Sequence, residues 1–396
     1  MTERQTALLL AAAQALYQTA TVVMITVGGL VGLQLAPDAR LATLPLAVVM
    51  IASTAGRMPA AWVVQRAGWR GGFLIGTGLG VATGIVGAVA VVLHSFALFL
   101  VANALLGCYG AFAGYYRFTA ADAASPAFRS RALSWVVAGG VVAALLGPAI
   151  VRHGDALLHS LQLAPFMVPL LSMCVLGLLA AVVVSRLQLG GPATTGQADE
   201  SGARPLGELM RQPLFIVSTL CSTVGYAVMV MVMTATPLAM SLCGLPLASS
   251  ATVIQWHVLG MFVPSFFTGN LIKRFGVLPV MTVGVLCLGG HVAIALSGQS
   301  YNNFASGLIL LGVGWNFLFV GASVLLTDCY RPAERARTQA AHDLIVYGVT
   351  SVASLGAGSL LAAFGWQAVN LAALPALLMA TLAMMHRALQ TRRKIA

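Results

Sequence analysis

Apolar residues in this chain neither alternate with polar ones, as in a half-buried strand, nor mark one stripe of a helix. They run on for 18 residues or more, and such runs recur along the whole sequence. Runs of that length predict helices that cross a lipid bilayer. Twelve are expected, at 7–33, 41–64, 72–93, 96–120, 131–151, 163–186, 213–241, 248–271, 277–297, 302–327, 338–364 and 366–389. The first is too long for a signal-peptide core, has no clear cleavage site and is followed by more of its kind, so it reads as helix 1. Pro45, Pro59, Pro148, Pro237 and Pro264 fall inside the runs. They argue for kinks rather than ends, because lipid leaves the backbone no alternative to a helix. The fold class expected is therefore all-α and integral to the membrane.

Composition agrees. Of 396 residues, 59% are hydrophobic and 8% charged, against about 25% charged in a soluble domain. The net charge of +11 raises nucleic acid as a partner, but its distribution argues against one. Only Arg40 and Arg152 fall in the connections after odd-numbered helices. The even connections and the ends hold Arg66, Arg70, Arg129, Arg131, Arg186, Arg204, Arg211, Lys273, Arg274, Arg331, Arg335, Arg337, Arg387, Arg392, Arg393 and Lys394. The positive-inside rule then places both termini and the even loops in the cytoplasm. The remaining partner implied by the basic loops is membrane lipid. The six cysteines are scattered without CxxC spacing, so no disulfide framework or zinc finger is expected. Cys221 stands out, because it lies on helix 7 below Met229.

The longest connection, 188–212, is rich in Gly, Pro, Thr and charge, and divides the helices into an N-terminal half, 1–187, and a C-terminal half, 213–396. The halves repeat each other. Asp122-x-x-x-Pro126-Ala127-x-Arg129-x-Arg131 follows helix 4, and Asp328-x-x-x-Pro332-Ala333-x-Arg335-x-Arg337 follows helix 10, 206 positions on. Gln65-Arg66-Ala67-Gly68 after helix 2 answers Lys273-Arg274-Phe275-Gly276 after helix 8. Two parallel six-helix repeats suit a rocking carrier with its substrate site near the midplane. Over its whole length the chain resembles the major facilitator superfamily, whose loop G-x-x-x-D-R-x-G-R-R is matched by Arg66, Gly68 and Arg70. The family's Asp is Gln65 in one copy and Lys273 in the other. Asp122 and Asp328, at inner helix ends beside arginines, are candidates for a substitute latch or are simply solvated.

Two short motifs carry candidate chemistry: Met229-x-x-x-Met233 on helix 7 and His257-x-x-x-Met261 on helix 8. Residues four apart share one helix face. Thioether and imidazole suit a soft or borderline metal such as copper, and a histidine deep in a spanning helix is a functional candidate by default. At ~1.5 Å per residue, Met233 and His257 fall about 12–13 Å below the outer end, and Met229 and Met261 about 18–20 Å. That predicts two rungs, a turn apart, down which a soft ion could step. Against this, the chain has 16 Met, Met fills apolar gaps anywhere, and His257 could equally be a hydrogen-bonded or proton-linked group. The paired motifs resemble those of the CcoA-type copper importers of bacterial inner membranes. That resemblance implies copper entry across the inner membrane through Met229, Met233, His257 and Met261. It also implies a copper-accepting partner protein and supply of haem–copper cytochrome oxidase assembly. Copper is then a substrate, and no cofactor is expected.

His94, His153, His159 and His291 lack paired spacing and read as structural or surface groups. Asp343, beside His342, is a candidate proton or gating site, or a partner of Arg337 or Tyr347. Arg117 is expected to snorkel or to pair with Asp122. Asn103, Trp315 and Asn316 are candidate cavity-lining residues. No carboxylate lies near the midplane of any helix, so the usual acidic proton carrier of a symporter is missing. No G-x-x-x-x-G-K-[ST] loop is present, so ATP is not expected to drive transport. Nothing resembles a hydrolytic constellation, so no enzyme is expected. Two rivals to copper import remain: an exporter of a small organic solute or drug on the same scaffold, and a membrane-bound copper scaffold that transports nothing.

Overall fold

The computed structural model describes residues 1–125, 128–161, 164–189, 204–331 and 334–393. Pro126, Ala127, Pro332 and Ala333 of the repeated motif, residues 190–203 of the connection between the halves, and Lys394 lie outside the described residues. The chain divides into two compact units, Met1–Ala193 with Gly244–Gln255, and Thr194–Cys243 with Trp256–Ala396.

The first unit holds α1 (Glu3–Leu35), α2 (Leu44–Ala55), α3 (Arg57–Val92), α4 (Phe96–Ala113), α5 (Tyr116–Asp122), α6 (Arg129–Leu161) and α7 (Met167–Ser185). α1 starts at a capping box in which Thr2 and Gln5 satisfy each other's backbone N–H. Its packing is mainly against α6 and α7, while α3 lies against α4 and α7. Small residues let these backbones approach. A Cβ at Gly84 would stand 2.7 Å from the Cys174 backbone nitrogen on α7. Threonines within the spans bond back to the carbonyl four residues earlier, as Thr19 does to Ala15 and Thr26 to Val22, so hydroxyls enter an apolar interior already paired.

The remaining helices are α8 (Leu206–Met210), α9 (Pro213–Leu242), α10 (Leu247–Phe262), α11 (Ser265–Phe275), α12 (Val277–Ser297), α13 (Tyr301–Thr327), α14 (Arg335–Leu371) and α15 (Ala373–Arg393). All belong to the second unit except the start of α10, which falls in the first. There Arg152 on α6 donates to Gln255 Oε1 at 2.6 Å and to Thr252 Oγ1 at 3.2 Å. In the second unit α9 packs against α13, α14 and α15, and α12 against α13.

Among the described residues nine helices are long and apolar enough to cross a membrane. Dividing two of them at glycines of positive φ gives eleven of the twelve expected segments, and the shorter α10 and α11 together make the eighth. Gly68 (φ 72°) ends the second segment inside α3, and Gly365 (φ 77°) separates the last two. Such φ values disfavour any residue with a Cβ. Other segments are broken: the second at Gly56, the fourth at Gly114 and the eighth between Phe262 and Ser265. The prolines divide correspondingly. Pro148 and Pro237 sit inside unbroken helices. Pro45 and Pro59 stand in the first turns of α2 and α3, where no intrahelical N–H is needed. Pro264 stands at the break.

The repeat is visible in the backbone. Gly68 and Gly276, equivalent in the two loop motifs, adopt nearly the same conformation, φ 72° with ψ 169° and φ 88° with ψ 162°. Ser125 and Arg331, 206 positions apart, each donate their backbone N–H to a glutamate, Glu3 at 2.7 Å and Glu334 at 2.9 Å.

Candidate functional site

The four residues of the helix 7 and helix 8 motifs are all buried, and all lie in the second unit. His257 Nδ1 donates to the carbonyl of Leu308 on α13 at 2.9 Å, while Nε2 has no partner. Because a carbonyl can only accept, that bond places the proton on Nδ1. Next to it α10 and α13 touch backbone to backbone. A Cβ at Gly312 would stand 2.5 Å from His257 O and 2.9 Å from Met261 N. His257 and Met261 thus sit on the face of α10 that meets α13. Met229 and Met233 lie on α9, which packs against α13 and α14. Cys221, also on α9, is fully buried. Among the described residues no group of three or more His, Cys, Asp and Glu side chains could hold a metal ion.

Asn316 has a structural task at the break in the eighth segment. Its Nδ2 donates to Met261 O at 2.7 Å and to Ser265 Oγ at 2.5 Å, and its Oδ1 accepts from Thr268 Oγ1 at 2.6 Å. With Pro264 interrupting the helix, the Met261 carbonyl accepts this side-chain amide. His291 is likewise structural, its Nε2 donating to Asn370 Oδ1 at 2.8 Å.

Where α9, α13 and α14 meet, the second unit gathers aromatic and polar groups. Tyr226 on α9 stands edge-on to three rings: Trp315 at 5.6 Å, Phe319 at 5.3 Å and Tyr347 at 5.5 Å between centroids. Trp315 and Phe319, one turn apart on α13, are stacked at 5.1 Å with their planes 10° apart. Trp315 is 7% exposed and its indole N–H has no partner. Tyr226, Phe319 and Tyr347 are half-buried. His342 Nδ1 and Thr219 Oγ1 are 3.0 Å apart beneath them. Of this quartet only Trp315 is a cavity-lining candidate from sequence. The four-residue spacing of Trp315 and Phe319 was the available signal, whereas Tyr226 and Tyr347 join them only through helix packing.

An ion pair stands next to the repeated motif. Glu334 pairs with Arg204 at 2.7 Å, while Asp122 and Asp328 are exposed at helix ends, as solvated groups would be. Arg337, considered for Asp343, donates to the carbonyl of Arg204. The Arg204 guanidinium, then the Arg331 N–H, hold the Glu334 carboxyl well below the usual carboxylate range. Glu334 occupies an unmatched position of the motif, Phe128 in the first copy.

No protein-family model matches the chain. It is 40% identical over 367 residues, 93% of this chain and 92% of the relative, to the riboflavin transporter RfnT of Brucella anthropi. It is 27% identical over 338 residues, 81% of this chain and 77% of the relative, to the uncharacterized MFS-type transporter YddS of Bacillus subtilis. Among solved structures, the nucleoside transporter NupG superposes with a TM-score of 0.71 at 15% identity, over 97% of this chain and 99% of that one. A bacterial homologue of the human lysosomal transporter Spinster, inward-facing and occupied, gives 0.70 at 17% identity, over 98% and 96%. Both likenesses show the fold: helices in the major facilitator arrangement.

These findings overturn copper import. The relative that covers nearly the whole chain is a riboflavin transporter, so copper as substrate, a copper-accepting partner and a role in cytochrome oxidase assembly are all withdrawn. The likeness to CcoA-type importers rested on two i, i+4 pairs. Methionine and a hydrogen-bonded histidine also satisfy the needs of helix packing in lipid, so these residue types did not discriminate.

Proposed function

The chain belongs to the major facilitator superfamily of transporters, and from that premise we propose that it carries a riboflavin-type solute, a flat and uncharged aromatic heterocycle, across a bacterial cell membrane. The similarity to a riboflavin transporter over 367 residues carries this reading. The aromatic quartet supports it, since stacked and edge-on rings are the protein chemistry that suits a conjugated ring system. The halves 1–187 and 213–396 then act as the two moving bodies, joined by the 188–212 connection, with both termini on the cytoplasmic side. His257 serves as a hydrogen-bonding group between α10 and α13.

The test is uptake of labelled riboflavin by a riboflavin auxotroph lacking its own transporter. Expression of this chain is expected to restore growth at low external riboflavin and saturable uptake, with copper accumulation in the same cells unchanged. Failure to accumulate riboflavin, with the protein shown to reach the membrane, would refute the reading.

A further inference from the structure

Resting on the riboflavin-type reading, we propose that Tyr226, Trp315, Phe319 and Tyr347 form the surface that recognises the substrate's ring, with the Trp315 indole N–H donating to a ring carbonyl, and that this surface rejects phosphorylated flavins.

The first ground is the indole itself. Trp315 is more than nine-tenths buried, and its Nε1–H is without an acceptor. A buried donor left unpaired is costly, and buried tryptophan N–H groups usually find a partner. An acceptor brought by the substrate would satisfy it. The pyrimidine edge of an isoalloxazine ring presents two carbonyls next to a flat hydrocarbon face. The same molecule can therefore accept from Trp315 and lie against the neighbouring rings.

The second ground is where the Phe319 ring points. Phe319 is half-buried and stands five residues from the exposed Val324. At ~100° per residue its ring is turned roughly 140° around α13 from that valine. The partial exposure of Phe319 therefore lies on a different side of α13 from Val324.

The third ground is charge. α9 and α13 contain no Lys, Arg, Asp or Glu, and the charged residue of α14 nearest Tyr347 is Asp343, one turn away. The basic residues of α14, Arg335 and Arg337, stand at its start. Beside this surface these helices present no Lys or Arg to pair with a phosphate. A neutral flavin needs no such partner, and a ring lacking the ribityl chain loses none of the contacts invoked.

The experiment uses the full-length protein in proteoliposomes, with labelled riboflavin uptake challenged by lumiflavin, ribitol and flavin mononucleotide, and repeated with Trp315→Phe and Phe319→Ala. Lumiflavin is expected to compete within a few-fold of unlabelled riboflavin. Ribitol in large excess should not compete, and the mononucleotide should be at least about tenfold weaker. Trp315→Phe keeps a ring but removes the donor, so affinity for riboflavin and lumiflavin should fall together by about 3- to 10-fold. Phe319→Ala removes stacking area and should weaken both by about 5-fold or more. A wild-type protein that moves riboflavin while Trp315→Phe binds it unchanged would overturn this proposal and leave the transport reading standing. Competition by ribitol, or equal competition by the mononucleotide, would overturn it too. A wild-type protein that moves no riboflavin would instead overturn the transport reading, and this proposal with it.

Discussion

Arg204 and Glu334, 130 positions apart, meet as a two-pronged ion pair. Arg204 Nη2 reaches Oε2 at 2.7 Å, and its Nε reaches Oε1 at 2.9 Å. The same carboxylate accepts the backbone N–H groups of Arg204 and Arg331, each at 2.9 Å. One side chain thereby fastens the end of the connection before α8 to the turn between α13 and α14. The planar fork of arginine suits this geometry, and a lysine would not reproduce it.

Glu334→Gln keeps the shape but sets an amide N–H₂ against the guanidinium. The thermal midpoint in detergent at pH 7.5 is expected to fall by several degrees, and Arg204→Lys should lower it as well. The pH dependence has a definite sign. The folded-state pKa of Glu334 lies below its ordinary 4.5. The stabilisation is therefore complete above about pH 4.5 and is lost as pH falls towards the folded value. The gap between wild type and Glu334→Gln should narrow on acidification, and a widening gap would contradict the assignment.

Asn316→Leu should destabilise the protein by ~1–3 kcal/mol, because the Met261 carbonyl at the helix break loses its amide partner in a buried setting. Thermal or denaturant unfolding of the detergent-solubilised protein measures this. A neutral effect would mean that another donor satisfies Met261.

Gly312→Ala should cost ~1–3 kcal/mol, since the new methyl would press on the backbone of α10, which cannot rotate away. Gly348→Ala is the matched control. A Cβ there meets nothing within 4 Å, and replacing a helical glycine should be neutral or stabilising by up to ~1 kcal/mol. Equal effects at the two sites would argue against the close α10–α13 contact.

His257→Ala should lower stability by ~2–4 kcal/mol through the lost bond to Leu308 and the cavity left behind. Riboflavin uptake per folded molecule should persist, and cellular copper, measured by mass spectrometry, should not change. Loss of uptake at matched folded protein would move His257 from helix packing into the transport path.

The sequence by itself determined the class of the molecule. Lipid permits a spanning chain only closed hydrogen-bonding solutions, so long apolar runs had to become helices, and the paired motifs around Gly68 and Gly276 marked the repeat. The sequence also exposed Trp315 and Asn316 as polar groups in apolar helices that needed an explanation. It did not distinguish their tasks, because both donate hydrogen bonds, and only packing showed Asn316 spent on a helix break and Trp315 left with its N–H unpaired. The ion pair of Glu334 with Arg204 is not legible in the sequence because the partners are 130 positions apart. The quartet around Tyr226 is spread over three helices, and the i, i+4 rule sees only within one. The same limit applies to Met229, Met233, His257 and Met261. Spacing says which side chains share a face, but the neighbour supplied by tertiary structure, here α13 with its Leu308 carbonyl, decides what that face does.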